Sequence, residues 1–126
     1  MEAQQTINFK ADHLTFQDQV KETEGEHFSR QSAIFFERAI NECNKGLNHS
    51  SIETARFALQ LANVAGDYLA VYVNGFLAHR LLANHQYRAA YQHVKAALDG
   101  LDKRNRHFQE DLSYYLTLQS QILEAA

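Results

Sequence analysis

The chain's apolar residues recur at intervals of three and four along most of its length, which is the spacing of amphipathic α-helices. One such stripe consists of Ile52, Ala55, Leu59 and Ala62. Apolar and polar residues do not alternate over any useful length with the period of two that β-strands show. The pattern predicts an all-α fold of five to six antiparallel helices joined by short loops.

Residues that favour helix ends lie between the apolar stripes. Thr23 with Glu26, and Ser50 with Glu53, predict capping boxes, in which two residues at a helix start each bond the other's backbone N–H group. The other boundaries have an aspartate or asparagine before a helix, or a glycine after one. We expect helix starts at Asp67 and Asn84, and helix ends at Gly46, Gly66 and Gly100.

The N-terminal part of the chain is less regular than the rest. Residues 1–12 are polar and aperiodic, which predicts a frayed tail, and residues 13–126 are expected to form a single helical domain. A short helix of weak amphipathicity is expected over residues 13–22. Its apolar residues are Leu14, Phe16 and Val20.

One part of the sequence combines small and large apolar residues at a recognisable set of spacings. The residues are Asn74, Leu77, Ala78, Leu81, Tyr87, Ala90, Val94, Ala97 and Leu98. With them, the segment from about Val71 to Leu101 resembles a tetratricopeptide repeat, a pair of antiparallel helices about 34 residues long. Asn74 departs from the family, which has a large aromatic residue there. The resemblance implies a stack of helical hairpins with the last helix as its cap; the alternative is an antiparallel helical bundle.

The same resemblance implies that the first helix of each hairpin lines a concave groove. Such a groove suits an extended peptide or a helix, because a few buried anchors supply most of the affinity. Gly75 is expected to let a ligand backbone approach closely. In the competing interpretation, Tyr72 and Leu82 pack on a neighbouring helix or on a second subunit. The implied groove residues are Tyr72, Gly75, His79, Leu82, Glu37, Ile40, Asn44, Gln109, Ser113 and Leu116.

Composition narrows the class of protein. Of 126 residues, 45 % are apolar and 21 % are charged, which is typical of a folded globular domain. The net charge of −3 shows none of the excess of basic residues that is typical of nucleic-acid-binding domains, so no nucleic-acid partner is expected. No apolar run approaches the ~20 residues that span a bilayer, so no membrane association is expected. Cys43 is the sole cysteine, which excludes an intramolecular disulfide and favours a reducing, cytoplasmic location.

Arginine and histidine recur with one spacing, from Arg80 to His85 and from Arg88 to His93. This pattern resembles that of HEPN-type ribonucleases, all-α proteins in which a dimer brings arginine and histidine together at an RNA ribose. The resemblance implies that histidine acts as general acid or base and that arginine stabilises charge on the phosphate. Apolar residues follow both arginines, where that family usually has a polar one, so surface residues of a helix are the simpler interpretation.

Seven histidines also raise the alternative of a helical bundle that binds a metal or a small ligand. Histidine and carboxylate share helical spacing in three pairs, each at a predicted helix end or loop, where surface charge pairing explains the spacing as well. No phosphate loop, dinucleotide fingerprint or nucleophile motif is present, and no cofactor is expected. The pairs are Glu24 with His27, His49 with Glu53, and His107 with Asp111.

These patterns together favour a non-enzymatic protein-interaction module, that is, an adaptor, a chaperone or a regulator. Its expected partner is a protein or a peptide, and no catalytic residue or metal ligand is assigned. The exposed ends of a short stack also favour pairing, so a homodimer is among the expected assemblies. The ribonuclease and the ligand-binding bundle are the alternatives.

Overall fold

The computed structural model describes residues 23–126, which form five α-helices. No strand occurs in this range, so the prediction of an all-α fold is confirmed. The tail predicted for residues 1–12 and the helix predicted for residues 13–22 lie outside the described residues. The helices are α1 (Glu24–Asn44), α2 (Asn48–Ala65), α3 (Leu69–Ala83), α4 (Tyr87–Asp99) and α5 (Phe108–Ala125).

Several predicted helix ends are confirmed. Thr23 forms the capping box with Glu26: its hydroxyl accepts from Glu26 N–H at 3.0 Å, and Glu26 Oε1 accepts from Thr23 N–H at 2.9 Å. Gly46 and Gly66 follow α1 and α2 with φ of 81° and 66°, in the left-handed region that glycine enters without a Cβ clash. Gly100 ends α4 with a negative φ.

The second predicted capping box, at Ser50, is wrong. The left-handed Gly46 reverses the chain so sharply that α2 already begins at Asn48, with Leu47 as its N-cap and no side-chain cap. Ser50 therefore lies inside the helix. Its neighbour Ser51 is fully buried, and its hydroxyl donates to Ala39 O of α1 at 2.7 Å, which ties the two helices together.

The cap predicted at Asn84 is also wrong, because Asn84 ends α3 and its N–H donates to Arg80 O. The left-handed His85, with φ of 62°, then turns the chain into α4. Asp67 lies two residues before α3. Its side chain still bonds a backbone N–H group at the helix start, because its Oδ1 accepts from Leu69 N–H at 2.9 Å.

The helices contact one another in an open row. Helices α1 and α2 form one hairpin, α3 and α4 form a second, and α5 packs on the second. The odd-numbered helices also touch, α1 with α3 and α3 with α5. Among the five described helices, α2 does not contact α4, and α1 contacts neither α4 nor α5. Because α1, α3 and α5 touch in sequence while α2 and α4 do not, the helices are closer together on the side formed by α1, α3 and α5. We call this side the odd-helix side.

Small side chains hold the hairpins close together. Ala78 of α3 and Ala90 and Ala97 of α4 are fully buried, and side chains this small let packed helices approach closely. Leu77 and Leu81 are the largest fully buried side chains of α3. Within residues 23–126, none of the helices is long and apolar enough to cross a membrane.

Candidate functional site

The groove residues predicted on α1 are exposed and lie on one side of that helix. Glu37 and Asn44 are exposed, and Ile40 keeps 37 % of its surface accessible. Ile40 follows Phe36 by one helical turn, and the Phe36 ring meets Phe76 of α3 edge-on with the ring centroids 5.6 Å apart. Ile40 therefore borders the junction of α1 and α3, and Asn44 lies one turn beyond it. Glu37, by contrast, is turned by about 100° from Phe36 and also lines a depression with Ile34 and Asn41.

A hollow of about 600 Å³ continues the same side of α1 toward its N-terminus. Ala33, one turn before Glu37, lines it together with Asp67 and Leu69 from the start of α3. The Asp67 carboxylate is held in place, because the Ser29 hydroxyl donates to its Oδ2 and Leu69 N–H donates to its Oδ1. Nothing in the sequence pattern pointed to this hollow, since it arises only when α3 packs on α1.

On α3, His79 lies at the open odd-helix side. It is exposed and follows Phe76 by three residues, so it borders the same junction. Leu82, by contrast, is half-buried and packs against the core. Two nitrogens of the Arg80 guanidinium contact other side chains: Nη2 lies 3.0 Å from His79 Nδ1, and Nη1 donates to Asn48 Oδ1 at 3.5 Å. Loss of solvent around the imidazole, followed by the Arg80 charge, lowers the pKa of His79, so its neutral form is favoured.

The prediction that Gly75 offers space to a ligand is wrong, because Tyr115 of α5 fills that space. Gly75 is buried, and a Cβ at position 75 would lie 2.9 Å from Tyr115 Cζ and closer still to Cε1. Tyr115 itself is only 4 % exposed. The glycine does mark a close approach, as the sequence suggested, but the approaching group belongs to the chain's own last helix.

Tyr72 also joins α3 to α5 and is only partly accessible. Its hydroxyl donates to Asp111 Oδ2 at 2.8 Å, and its ring packs edge-on against Tyr68. Desolvation and the hydrogen bond to Asp111 raise the pKa of Tyr72 to about 12. Desolvation raises the pKa of Tyr115 in the same cluster. The competing interpretation, packing on a neighbouring helix, therefore describes Tyr72.

The groove residues predicted on α5 are exposed but lie on another side of the molecule. Asp111 and Tyr115 face α3, and Gln109 and Ser113 are each two residues from Asp111, about 200° around the helix. Leu116 is turned by about 100° from Tyr115 and shares its side of α5 with Leu123. Leu123 lines a depression with Tyr87 and Tyr91 of α4. The prediction that Gln109, Ser113 and Leu116 line one groove with the residues of α1 and α3 is therefore wrong.

The α5 residue that sequence reasoning missed is Tyr114. It is 54 % exposed, precedes Tyr115, and packs edge-on against that ring with centroids 5.3 Å apart. It is turned by about 100° from Tyr115 in the sense opposite to Leu116, and so lies on the side of α5 away from the depression beside α4. Two adjacent tyrosines in a helix point to different sides, so one of them had to be outside the core, but the sequence does not say which.

A second depression, of about 490 Å³, lies between α4 and α5. Tyr87 and Tyr91 of α4 form one wall, and Ile122 and Leu123 of α5 form the other. Leu123 keeps 59 % of its surface exposed. This depression is at the end of the row, where a further helix of a longer stack would pack.

The structure gives each histidine of the Arg–His pattern a partner other than arginine. His85 lies in the turn between α3 and α4, as expected from the sequence, with Nδ1 at 3.0 Å from the Tyr87 hydroxyl. His93 is half-buried, with Nδ1 at 2.8 Å from Asn74 Oδ1. Burial, followed by the charge of Arg56, lowers the pKa of His93.

Two of the three predicted histidine–carboxylate pairs lie at the surface, whereas Asp111 of the third is half-buried and accepts a hydrogen bond from Tyr72 of α3. Of the predicted pairs, Glu24 with His27 and His49 with Glu53 are exposed, and His107 contacts Glu110 Oε1 at 3.3 Å from its Nδ1. In residues 23–126, no three histidine, cysteine, aspartate or glutamate side chains are placed to hold a metal ion together.

Comparisons of the whole chain with protein-family models, with curated proteins and with solved structures return no match.

Proposed function

We propose that the chain is a tetratricopeptide-like stack that acts as a non-enzymatic, cytoplasmic protein-interaction module. Its binding surface is the odd-helix side, and its partner is an extended peptide or a helix. The observation that carries the proposal is the open row: α1, α3 and α5 touch in sequence while α2 and α4 do not. This arrangement gives one continuous surface across three helices, which is what a bound segment needs.

The chemistry of that surface supports a peptide ligand. Ile40 provides an exposed apolar anchor, and Glu37 and Asn44 of α1 and His79 of α3 are exposed hydrogen-bonding groups. An apolar side chain of the partner would be buried against Ile40, while the polar groups would satisfy backbone N–H and C=O groups of the partner. The hollow beside Ala33 lengthens the surface along α1.

The proposal is tested by selecting binders from a library of random twelve-residue peptides against the full chain. We expect Ile40→Asp and His79→Ala each to weaken binding of the selected peptides at least tenfold, or ~1.4 kcal/mol. Helical circular dichroism should stay unchanged, because both residues are exposed.

Ile34→Asp is the matched control. Ile34 is on the same helix and 47 % exposed, but it lies about 200° around α1 from Phe36 and thus away from α3. The proposal is overturned if no peptide is enriched, or if Ile34→Asp weakens binding as much as Ile40→Asp does.

A further inference from the structure

The first hairpin has an apolar outer face that nothing in residues 23–126 covers. Ile34, Phe57 and Val64 are 47 %, 45 % and 69 % exposed, and we call this surface the first end face. Phe35 and Phe36 point about 100° apart around α1. Phe36 meets α3, whereas the Phe35 ring packs edge-on against Phe57 of α2 at 4.8 Å. The first end face therefore looks away from the second hairpin.

A row of helical hairpins requires its end surfaces to be polar or covered, because each hairpin has apolar surface on both sides. The first end face presents three exposed apolar side chains, and the Arg38 guanidinium lies over the Phe35 ring with its Cζ 4.9 Å from the centroid. Val64 is seven residues after Phe57 and therefore lies on the same side of α2, about 10 Å further along. The exposed apolar strip runs lengthwise toward the C-terminal end of α2.

That end of α2 lies beside the point where the preceding chain enters. The Ser29 hydroxyl near the start of α1 donates to Asp67, just past the end of α2. Twenty-two residues precede Thr23 in this chain, and residues 13–22 carry Leu14, Phe16 and Val20. In a helix, Phe16 and Val20 lie one turn apart on the same side, about 6 Å along the axis, so the pair fits within the strip, which is about 10 Å long.

We propose that residues 13–22 dock on the first end face, with Val20 near Val64 and Phe16 toward Phe57, and so cap the row. The tether favours this occupant over a second copy of the chain: a segment joined two residues beyond Val20 to the adjacent helix has an effective concentration of about a millimolar. Docking is an intramolecular property of the free protein, and it does not depend on the proposed partner surface.

The reactivity of a single thiol tests the docking in the full chain. In a Cys43→Ser background, Val64→Cys reports on the first end face, and Leu123→Cys, at the opposite end of the row, is the control with comparable exposure. With a small alkylating reagent, we expect Val64→Cys to react about tenfold more slowly than Leu123→Cys, because residues 13–22 cover position 64.

Adding Phe16→Asp should restore fast alkylation of Val64→Cys, since a carboxylate cannot be buried against Phe57. Adding Gln17→Asp, which places the same charge one residue away, should leave the slow rate unchanged. Equal rates at positions 64 and 123 in the full chain would overturn the proposal. A slow rate at position 64 that rises on dilution would also overturn it, because the cover would then be a second copy.

Discussion

Gly75 shows how a single residue can indicate a close contact without identifying the partner. Glycine inside a helix is less stable than alanine by roughly 0.5–1 kcal/mol, so its presence predicts that something approaches the backbone. The sequence suggested a ligand, and the structure places the Tyr115 ring there instead. Spacing along one helix cannot distinguish the two, because the approaching group belongs to a helix some forty residues later in the chain.

Substitution of Gly75 tests this contact. Gly75→Ala would put a methyl group into the Tyr115 ring, which is buried and cannot swing aside, and we expect the free energy of unfolding to fall by about 1–3 kcal/mol. Gly25→Ala is the control, because its Cβ would have Thr23 Oγ1 at 3.9 Å as its nearest neighbour. It should be neutral or stabilising. Urea unfolding measures both, and a stabilising Gly75→Ala would contradict the packing described.

His93 couples stability to pH. Its pKa in the folded protein is lowered from 6.5, first by burial and then by Arg56. Between that lowered pKa and 6.5 the unfolded chain binds more protons than the folded one, so stability rises with pH through this window. We therefore expect the protein to lose stability as the pH falls below about 6.5.

The variant that tests this is His93→Gln, which retains a polar group opposite Asn74 and does not titrate. Thermal unfolding between pH 7 and pH 5 should show a shallower fall in midpoint for the variant than for the parent protein. An identical fall in both proteins would show that His93 does not carry the dependence.

At the scale of the helices, the three- and four-residue spacing was sufficient to predict all five described elements. The ends of the helices were harder to predict, because the unpaired backbone N–H groups at a helix start can find partners in several ways. Thr23 supplies one with its side chain, whereas α2 begins at Asn48 with Leu47 as its N-cap and no side-chain cap. The largest error of prediction concerned which side of α5 faces the core. Tyr115 and Leu118 form one apolar stripe and Leu116 with Leu123 an adjacent one, and only packing decides which faces the core.

The two predicted capping boxes differ in a way that substitution can measure. Thr23→Ala removes the bond to Glu26 N–H and should lower the free energy of unfolding by about 1 kcal/mol. Ser50→Ala removes no cap, since Ser50 lies within α2, and alanine is the better helix former. Its midpoint in urea should stay level or rise. A larger loss for Ser50→Ala than for Thr23→Ala would contradict these helix ends.

At the scale of the whole molecule, the all-α class followed from periodicity, but the surface proposed to bind a partner could be predicted only in part. Glu37, Ile40, Asn44 and His79 are exposed on the odd-helix side, whereas Gly75 is covered by α5. The difference depends on how the hairpins pack on one another, which is a long-range property. The proposed function therefore depends on the open row more than on any single side chain.

Distances between spin labels test the open row most directly. In a Cys43→Ser background, one pair joins Glu37→Cys of α1 to His79→Cys of α3, and the other joins Glu37→Cys to Thr117→Cys of α5. Neighbouring helices lie about 8–10 Å apart, so the α1–α5 distance should exceed the α1–α3 distance by about 10 Å. Equal distances for the two pairs would mean that α1 and α5 touch in a closed bundle, and would contradict the account.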